Sequence, residues 1–66
     1  MVKHDWTTTK RALTGRLSDE EERIVDMLID GMSTVEVGRI LGQHRSMIWR
    51  KTQQIKKRSE RQEGGR

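Results

Sequence analysis

The sequence predicts a small all-α fold, and three observations lead to this prediction. Apolar residues recur at helical spacing in three successive segments of residues 17–55. The first two segments each begin with a serine that has a glutamate three residues later, which is the spacing of a helix capping box. Gly42 ends the second segment and begins a short turn. We therefore predict a trihelical helix-turn-helix (homeodomain-like) domain over 17–58, with a flexible basic arm over 1–16 and a disordered polar tail over 59–66.

Composition limits the size of the core and the chemistry of the chain. The 66 residues allow one small domain, and only 30% of them are apolar, with no Phe or Tyr. No cysteine is present, so disulfides and thiolate metal sites are excluded. His4 and His44 are too far apart in sequence to suggest zinc. No apolar run approaches the ~18 residues of a membrane span, so we expect a cytoplasmic protein without cofactor, metal, small-molecule ligand or membrane partner.

The basic residues are concentrated at the two ends of the sequence. Residues 1–16 carry four basic residues and one acidic residue, residues 17–38 carry one and seven, and residues 39–66 carry nine and two. A polyanion would therefore prefer the third helix and the flanking segments to the acidic first half of the predicted domain. The alternative is that these charges only keep the helices solvated.

The first 16 residues show no sustained hydrophobic period. A run of three threonines and Gly15 disfavour a stable helix, so we predict a flexible arm with at most a short turn. Trp6 could either fold back onto the core or contact a partner, and the sequence does not decide between them. Basic arms of this kind can reach the minor groove of DNA. The candidate residues are Lys10, Arg11 and Arg16.

The first helix is predicted to run from Asp19 to Asp30. Ser18 and Glu21 form its capping box, and Gly31 is placed to end it. The acidic residues of its first turn suit the positive end of the helix dipole, which explains them without catalysis. The residues expected to face the core are Ile24, Val25, Leu28 and Ile29.

The second helix is predicted to run from Thr34 to Leu41. Ser33 and Glu36 form its capping box. Glycine inside a helix costs roughly 0.5–1 kcal/mol relative to alanine, so Gly38 predicts that the third helix crosses closely at this point. The residues expected to face inward are Val37, Ile40 and Leu41.

The third helix is predicted to run from Arg45 to Lys57 and to fray through Arg61. His44 occupies its N-cap position, although Ser, Thr, Asp or Asn would cap better. At ~100° per residue, the outer face of this helix lies opposite Ile48. The core-facing residues are Ile48, Thr52 and Ile55, and the residues of the opposite face are Ser46, Arg50, Gln53 and Lys57.

The residues of this outer face are of types that read base edges in the major groove. Arg50 is the best single candidate, because a guanidinium can bond guanine bidentately. We expect Trp49 to be partly buried at the edge of the core; the alternative is contact with sugar and bases. A plain solvent-exposed polar face is the other interpretation of this surface. The base-reading candidates are Arg45, Ser46, Trp49, Arg50 and Gln53, and the candidates for phosphate or minor-groove contact are Lys10, Arg11, Arg16, Gln43, His44, Lys51, Lys56, Lys57 and Arg58.

A set of positions within residues 17–58 follows a known family pattern, with apolar, glycine, serine and glutamate residues at matching spacings. The positions are Leu17, Ser18, Glu21, Ile24, Val25, Gly31, Met32, Ser33, Glu36, Val37, Gly38, Leu41, Met47, Ile48, Ile55 and Arg58. On these residues the chain resembles the tetrahelical helix-turn-helix of the LuxR/GerE family and, more loosely, region 4 of bacterial sigma factors. That family has a fourth helix, after the third, that supports dimerisation. Ser59 stands where the family has a leucine, so we expect a trihelical unit instead.

The segment GQHRSMIWRK also resembles the recognition helices of resolvase and invertase DNA-binding domains. In those domains the positions that match Ser46 and Arg50 read bases. In the LuxR type, the positions that match Trp49, Arg50 and Gln53 approach DNA. Both resemblances therefore imply that Arg50 contacts DNA.

We expect a small regulator of transcription that binds double-stranded DNA and is associated with the nucleoid, acting as a homodimer or with a protein partner. One alternative is a protein-interaction module that binds RNA polymerase or another regulator through the acidic first helix. Another is an architectural or recombination accessory protein. An enzyme is not expected, because the sequence has no nucleophile–base pair, metal cluster or glycine-rich phosphate loop.

Overall fold

The fold is all-α. A computed structural model describes residues 4–64, which form four helices and no strand. The helices are α1 (Trp6–Ala12), α2 (Asp19–Ile29), α3 (Thr34–Leu41) and α4 (Arg45–Gly64). None of the helices described there has the length and apolar character needed to cross a membrane. The predicted three helices therefore correspond to α2, α3 and α4, and α1 is an addition.

Helix α1 corrects the prediction of a flexible arm over 1–16, of which residues 1–3 lie outside the described part. Its N-cap is Asp5, whose Oδ1 accepts hydrogen bonds from the backbone N–H groups of Thr7 and Thr8 at 3.1 and 3.3 Å. The low helix propensity of the threonines is offset by this cap and by burial of Thr9 and Leu13, each only 1% exposed. The arm is thus packed onto the core from its first helical turn.

Helices α2 and α3 begin at the predicted residues, and both capping boxes are present. In the first box, Glu21 N–H donates to Ser18 Oγ at 3.1 Å and Ser18 N–H donates to Glu21 Oε1 at 3.0 Å. Ser33 and Glu36 make the same reciprocal pair at 3.3 and 3.0 Å. Gly42 ends α3 with φ of 71°, a left-handed conformation that suits glycine. The spacing of these residues was therefore sufficient to locate both helix starts.

Two apolar clusters form the core. Adjacent residues of α2 belong to different clusters, Val25 to the first and Ile24 to the second. The first cluster is Leu13, Val25 and Ile55, against which Trp6 and Leu17 pack. The second cluster is Ile24, Val37 and Ile48, against which Met27, Leu28, Met32 and Leu41 pack. Trp6 therefore folds back onto the core.

The prediction that Ile29 and Ile40 face inward is wrong. Their exposed fractions are 40% and 56%. In α3 the buried residues are Val37 and Gly38, and none of the four described helices buries Ile29 or Ile40. The apolar stripes of α2 and α3 therefore each include a residue that the fold leaves exposed.

Helix α4 buries one narrow seam along its length. Ile48 and Ile55 are fully buried, and Thr52 and Ser59 are 3% and 2% exposed. The Thr52 hydroxyl donates to the Trp49 carbonyl oxygen at 2.6 Å, which satisfies it inside the core. Burial of Ser59 continues the seam beyond the predicted helix end. The prediction of a disordered tail is therefore wrong up to residue 64, and residues 65–66 lie outside the described part.

Candidate nucleic-acid interface

The outer face of α4, defined as Ser46, Arg50, Gln53 and Lys57, lies opposite the buried seam as the sequence predicts. Ser46, Arg50 and Lys57 are exposed, and Gln53 is half-buried. The start of the helix is held by His44, whose Nδ1 accepts a hydrogen bond from Ser46 N–H at 3.1 Å. The same nitrogen lies 2.8 Å from Ser46 Oγ. His44 therefore acts as the N-cap that the sequence predicts and positions the first turn of α4.

Four ion pairs connect the acidic helix α2 to α1 and α4. Each joins a basic side chain of α1 or α4 to a carboxylate of α2, and each carboxylate is at least partly exposed. The pairs are Lys10 with Asp26 at 2.6 Å and with Glu22 at 4.0 Å, Lys51 with Glu20 at 2.7 Å, and Arg58 with Glu21 at 2.7 Å. The negative charge of α2 is thus largely matched by cations inside the molecule.

The residues that the sequence assigns to phosphate or minor-groove contact fall into two groups, those with polar partners within the chain and those without an ion-pair partner among the described residues. Lys51 also donates to Gln43 Oε1 at 2.9 Å, and Gln43 donates in turn to Glu20. Arg58 donates to the Arg16 carbonyl oxygen as well as to Glu21. Lys10, Gln43, Lys51 and Arg58 therefore have partners within the chain. The side chains of Arg11, Arg16, Lys56 and Lys57 have no ion-pair partner among the described residues.

The outer side of α4 carries the basic side chains of Arg45 and Arg50. Within the part of the chain that the structure describes, no acidic side chain forms an ion pair with Arg45 or Arg50. Both are exposed, and they flank Ser46 and Trp49 along the first two turns of the helix. The charges of Arg45 and Arg50 are therefore not neutralised by any acidic side chain of the described residues.

The prediction that Trp49 is partly buried is wrong, since its exposed fraction is 58%. The seam positions beside it are occupied by Ile48 and Thr52, and the two clusters are filled without it. Trp49 instead lines a shallow pocket of about 310 Å³, here called the α4 pocket, with Thr34, Arg45 and Ser46. Thr34 was not predicted from the sequence. The sequence feature that could have indicated Thr34 is its position directly after the Ser33 cap, at the start of the helix before the turn.

The polar contacts of α1 and α2 shift the pKa values of three groups. The hydrogen bond from Lys51, with that from Gln43, lowers the pKa of Glu20 below its ordinary value of 4.5. The hydrogen bonds from Thr8 lower the pKa of Asp5 below 3.8. Hydrogen bonding to Asp26 raises the pKa of Lys10 above 10.5. The carboxylates of Glu20 and Asp5 are therefore favoured in the folded state.

We expect the domain to lose stability in acid. A depressed folded-state pKa contributes stability above the unfolded-state pKa, and this contribution is lost as the pH falls through the folded value. The urea midpoint, followed by circular dichroism, should therefore decrease from about pH 5 to about pH 2. Glu20→Gln should show a smaller decrease. A wild-type midpoint that is constant over this interval would contradict the expectation.

Comparison of the chain with models of protein families, with curated proteins and with solved structures found no match.

Proposed function

We propose that this chain is a small protein that binds double-stranded DNA and regulates transcription, with the outer face of α4 in the major groove. The observation that carries the proposal is the separation of charge around α4. Cations directed toward α2 are paired with its carboxylates, whereas Arg45 and Arg50 have no ion-pair partner among the described residues. A helix with one free cationic face can meet a polyanion without first breaking contacts within the protein.

The connection between α3 and α4 supports a helix-turn-helix interpretation. The two helices are separated only by residues 42–44, and α3 ends at a left-handed glycine. The first turn of α4 is exposed, which is the part of a recognition helix that contacts base edges. The resemblance to the LuxR/GerE family and to resolvase domains agrees with this placement. In this chain, however, the additional helix is α1, which precedes the three matched helices, whereas the fourth helix of the LuxR/GerE family follows them.

The residues of the interface are assigned separate roles. Arg50 is assigned a bidentate contact with guanine, and Ser46 and Gln53 are assigned contacts with neighbouring base edges. Lys56 and Lys57 are assigned to phosphates, which fix the register without reading sequence. One recognition helix contacts few base pairs, so we propose that a second copy or a protein partner supplies the remaining specificity.

Substitution of Arg50 tests the proposal. A preferred site would first be selected from random duplex DNA, and binding to it measured by fluorescence anisotropy. Wild-type affinity should fall about tenfold between ~50 and ~200 mM salt if Lys56 and Lys57 each contact one phosphate. Arg50→Ala should weaken binding by about 5- to 150-fold, because a bidentate contact contributes about 1–3 kcal/mol of discrimination.

The matched control for Arg50→Ala is Arg23→Ala, which removes the same charge from an exposed position on α2. Its effect on binding should be small, and both variants should keep the circular dichroism spectrum of the wild type. The proposal fails if the wild type does not bind duplex DNA at ~50 mM salt. The assignment of Arg50 fails if Arg23→Ala weakens binding equally.

The alternative of a protein-interaction module that uses the acidic first helix has less support. Glu20, Glu21 and Asp26 are engaged by basic side chains of the same chain. A partner that recognised α2 by its charge would have to compete with these internal pairs. The outer face of α4 requires no such competition.

A further inference from the structure

We propose that the α4 pocket recognises thymine in the major groove through the 5-methyl group and O4 of the base. This inference rests on the proposed function and specifies which base the α4 pocket recognises. Its starting point is the position of Trp49, a large apolar side chain that is 58% exposed and lines a pocket between the starts of α3 and α4.

The indole of Trp49 lies outside the core. Trp49 belongs to neither core cluster, and the chain has only two tryptophans and an apolar content of 30%. A single exposed apolar residue is common on protein surfaces. Here, however, Trp49 lines one pocket together with one residue from the start of α3 and two polar residues from its own helix. Surfaces from two helices thus form a concave site that contains both apolar and hydrogen-bonding groups.

The chemical groups of the pocket match the major-groove edge of thymine. Thymine presents a methyl group next to an acceptor, O4, whereas guanine and adenine carry no methyl group and cytosine presents a donor at N4. Trp49 and the methyl group of Thr34 supply apolar surface for the 5-methyl group. The guanidinium of Arg45 supplies donors for O4 and has no acceptor to offer an amino group. The pocket is therefore complementary to both parts of the thymine edge.

The pocket also lies where a base could reach it. Arg45 and Ser46 are the first two residues of α4, and Trp49 lies one turn further along the helix. Thr34 is the first residue of α3, so the pocket lies at the N-terminal ends of both helices. The N-terminal residues of a recognition helix are those that contact base edges in helix-turn-helix complexes. Arg50 lies beside Trp49 in the same helix and brings positive charge to the adjacent phosphates or bases.

Removal of the thymine methyl group tests this inference directly. Two fluorescein-labelled duplexes of equal length, alternating dA-dT and alternating dA-dU, differ only by the 5-methyl group. Anisotropy titrations at ~50 mM salt should show about fourfold weaker binding to the uracil duplex, which corresponds to about 0.8 kcal/mol for one buried methyl group. Trp49→Ala should bind the two duplexes equally and no more tightly than the wild type binds the uracil duplex.

A matched control is Met47→Ala, which truncates another exposed apolar residue of α4, 45% exposed, that does not line the pocket. This variant should keep the preference for the thymine duplex. Equal wild-type affinity for the two duplexes would overturn the thymine inference and leave the proposed function standing. A preference that survives Trp49→Ala would also overturn it, since the methyl group would then be read elsewhere. No binding to either duplex would also overturn the thymine inference, and the proposed function falls with it only if the site selected from random duplex DNA is not bound at ~50 mM salt either.

Discussion

Leu13→Ala is expected to lower the free energy of unfolding by about 3 kcal/mol, within the range of ~2–5 kcal/mol for truncation of a buried leucine. Leu13 is 1% exposed and packs with Val25 and Ile55, so the variant leaves a cavity where α1, α2 and α4 meet. A single core in a chain of this size rarely supplies more than about 3–5 kcal/mol of net stability. We therefore expect a large fraction of the Leu13→Ala protein to be unfolded at 25 °C.

The measurement is urea or thermal unfolding followed by circular dichroism, with Ile40→Ala as the control. Ile40 is also a branched aliphatic residue but is 56% exposed, so its truncation should change stability by no more than about 0.5 kcal/mol. If Leu13→Ala unfolds at the same urea concentration as Ile40→Ala, then Leu13 is not part of the core and the first segment is an independent arm. The comparison thus separates a packed α1 from a flexible one.

The contrast between Leu13 and Ile40 shows what the sequence could and could not predict about the fold. The capping boxes of α2 and α3 are local patterns, and the residues that form them are three positions apart, so the helix starts could be predicted. Helix α1 has seven residues, three of them threonines, and too short a pattern to show a period. It is stabilised by contact of Leu13 with Val25 and Ile55, which are distant in sequence. Burial depends on such partners, and helical spacing alone does not supply them.

The same distinction applies to the candidate site. The outer face of α4 could be predicted because helical periodicity places Arg50 opposite the seam through Ile48. The partners of Lys51 and Arg58 could not, because Glu20 and Glu21 are 31 and 37 residues away in the chain. No sequence period connects positions at such separations. The exposure of Trp49 depended on which side chains filled the core, and this too is settled by tertiary packing.

Gly38→Ala is expected to destabilise the domain by about 2 kcal/mol, the middle of the range for overpacking a close contact. At an open helical position the same change would stabilise the protein by roughly 0.5–1 kcal/mol. Here a Cβ atom would collide with the carbonyl oxygen of Gln43 and lie 3.5 Å from the Arg45 backbone nitrogen. The sequence predicted a close approach of the third helix at Gly38, and the atoms that approach belong to the turn before it and to its first residue.

The sign of the change in the urea midpoint therefore decides whether this contact is rigid. The crowding atoms are backbone atoms, so they can move away only if the turn shifts and carries Arg45 and Ser46 with it. Arg39→Ala, at the neighbouring exposed position of α3, is the control and should change stability by no more than about 0.5 kcal/mol. If Gly38→Ala is more stable than the wild type, the backbone of Gln43 and Arg45 can move away from the added Cβ atom at little cost in free energy. Destabilisation would mean that Gly38 fixes the spacing between α3 and the first turn of α4, and so the shape of the α4 pocket between Thr34 and Arg45.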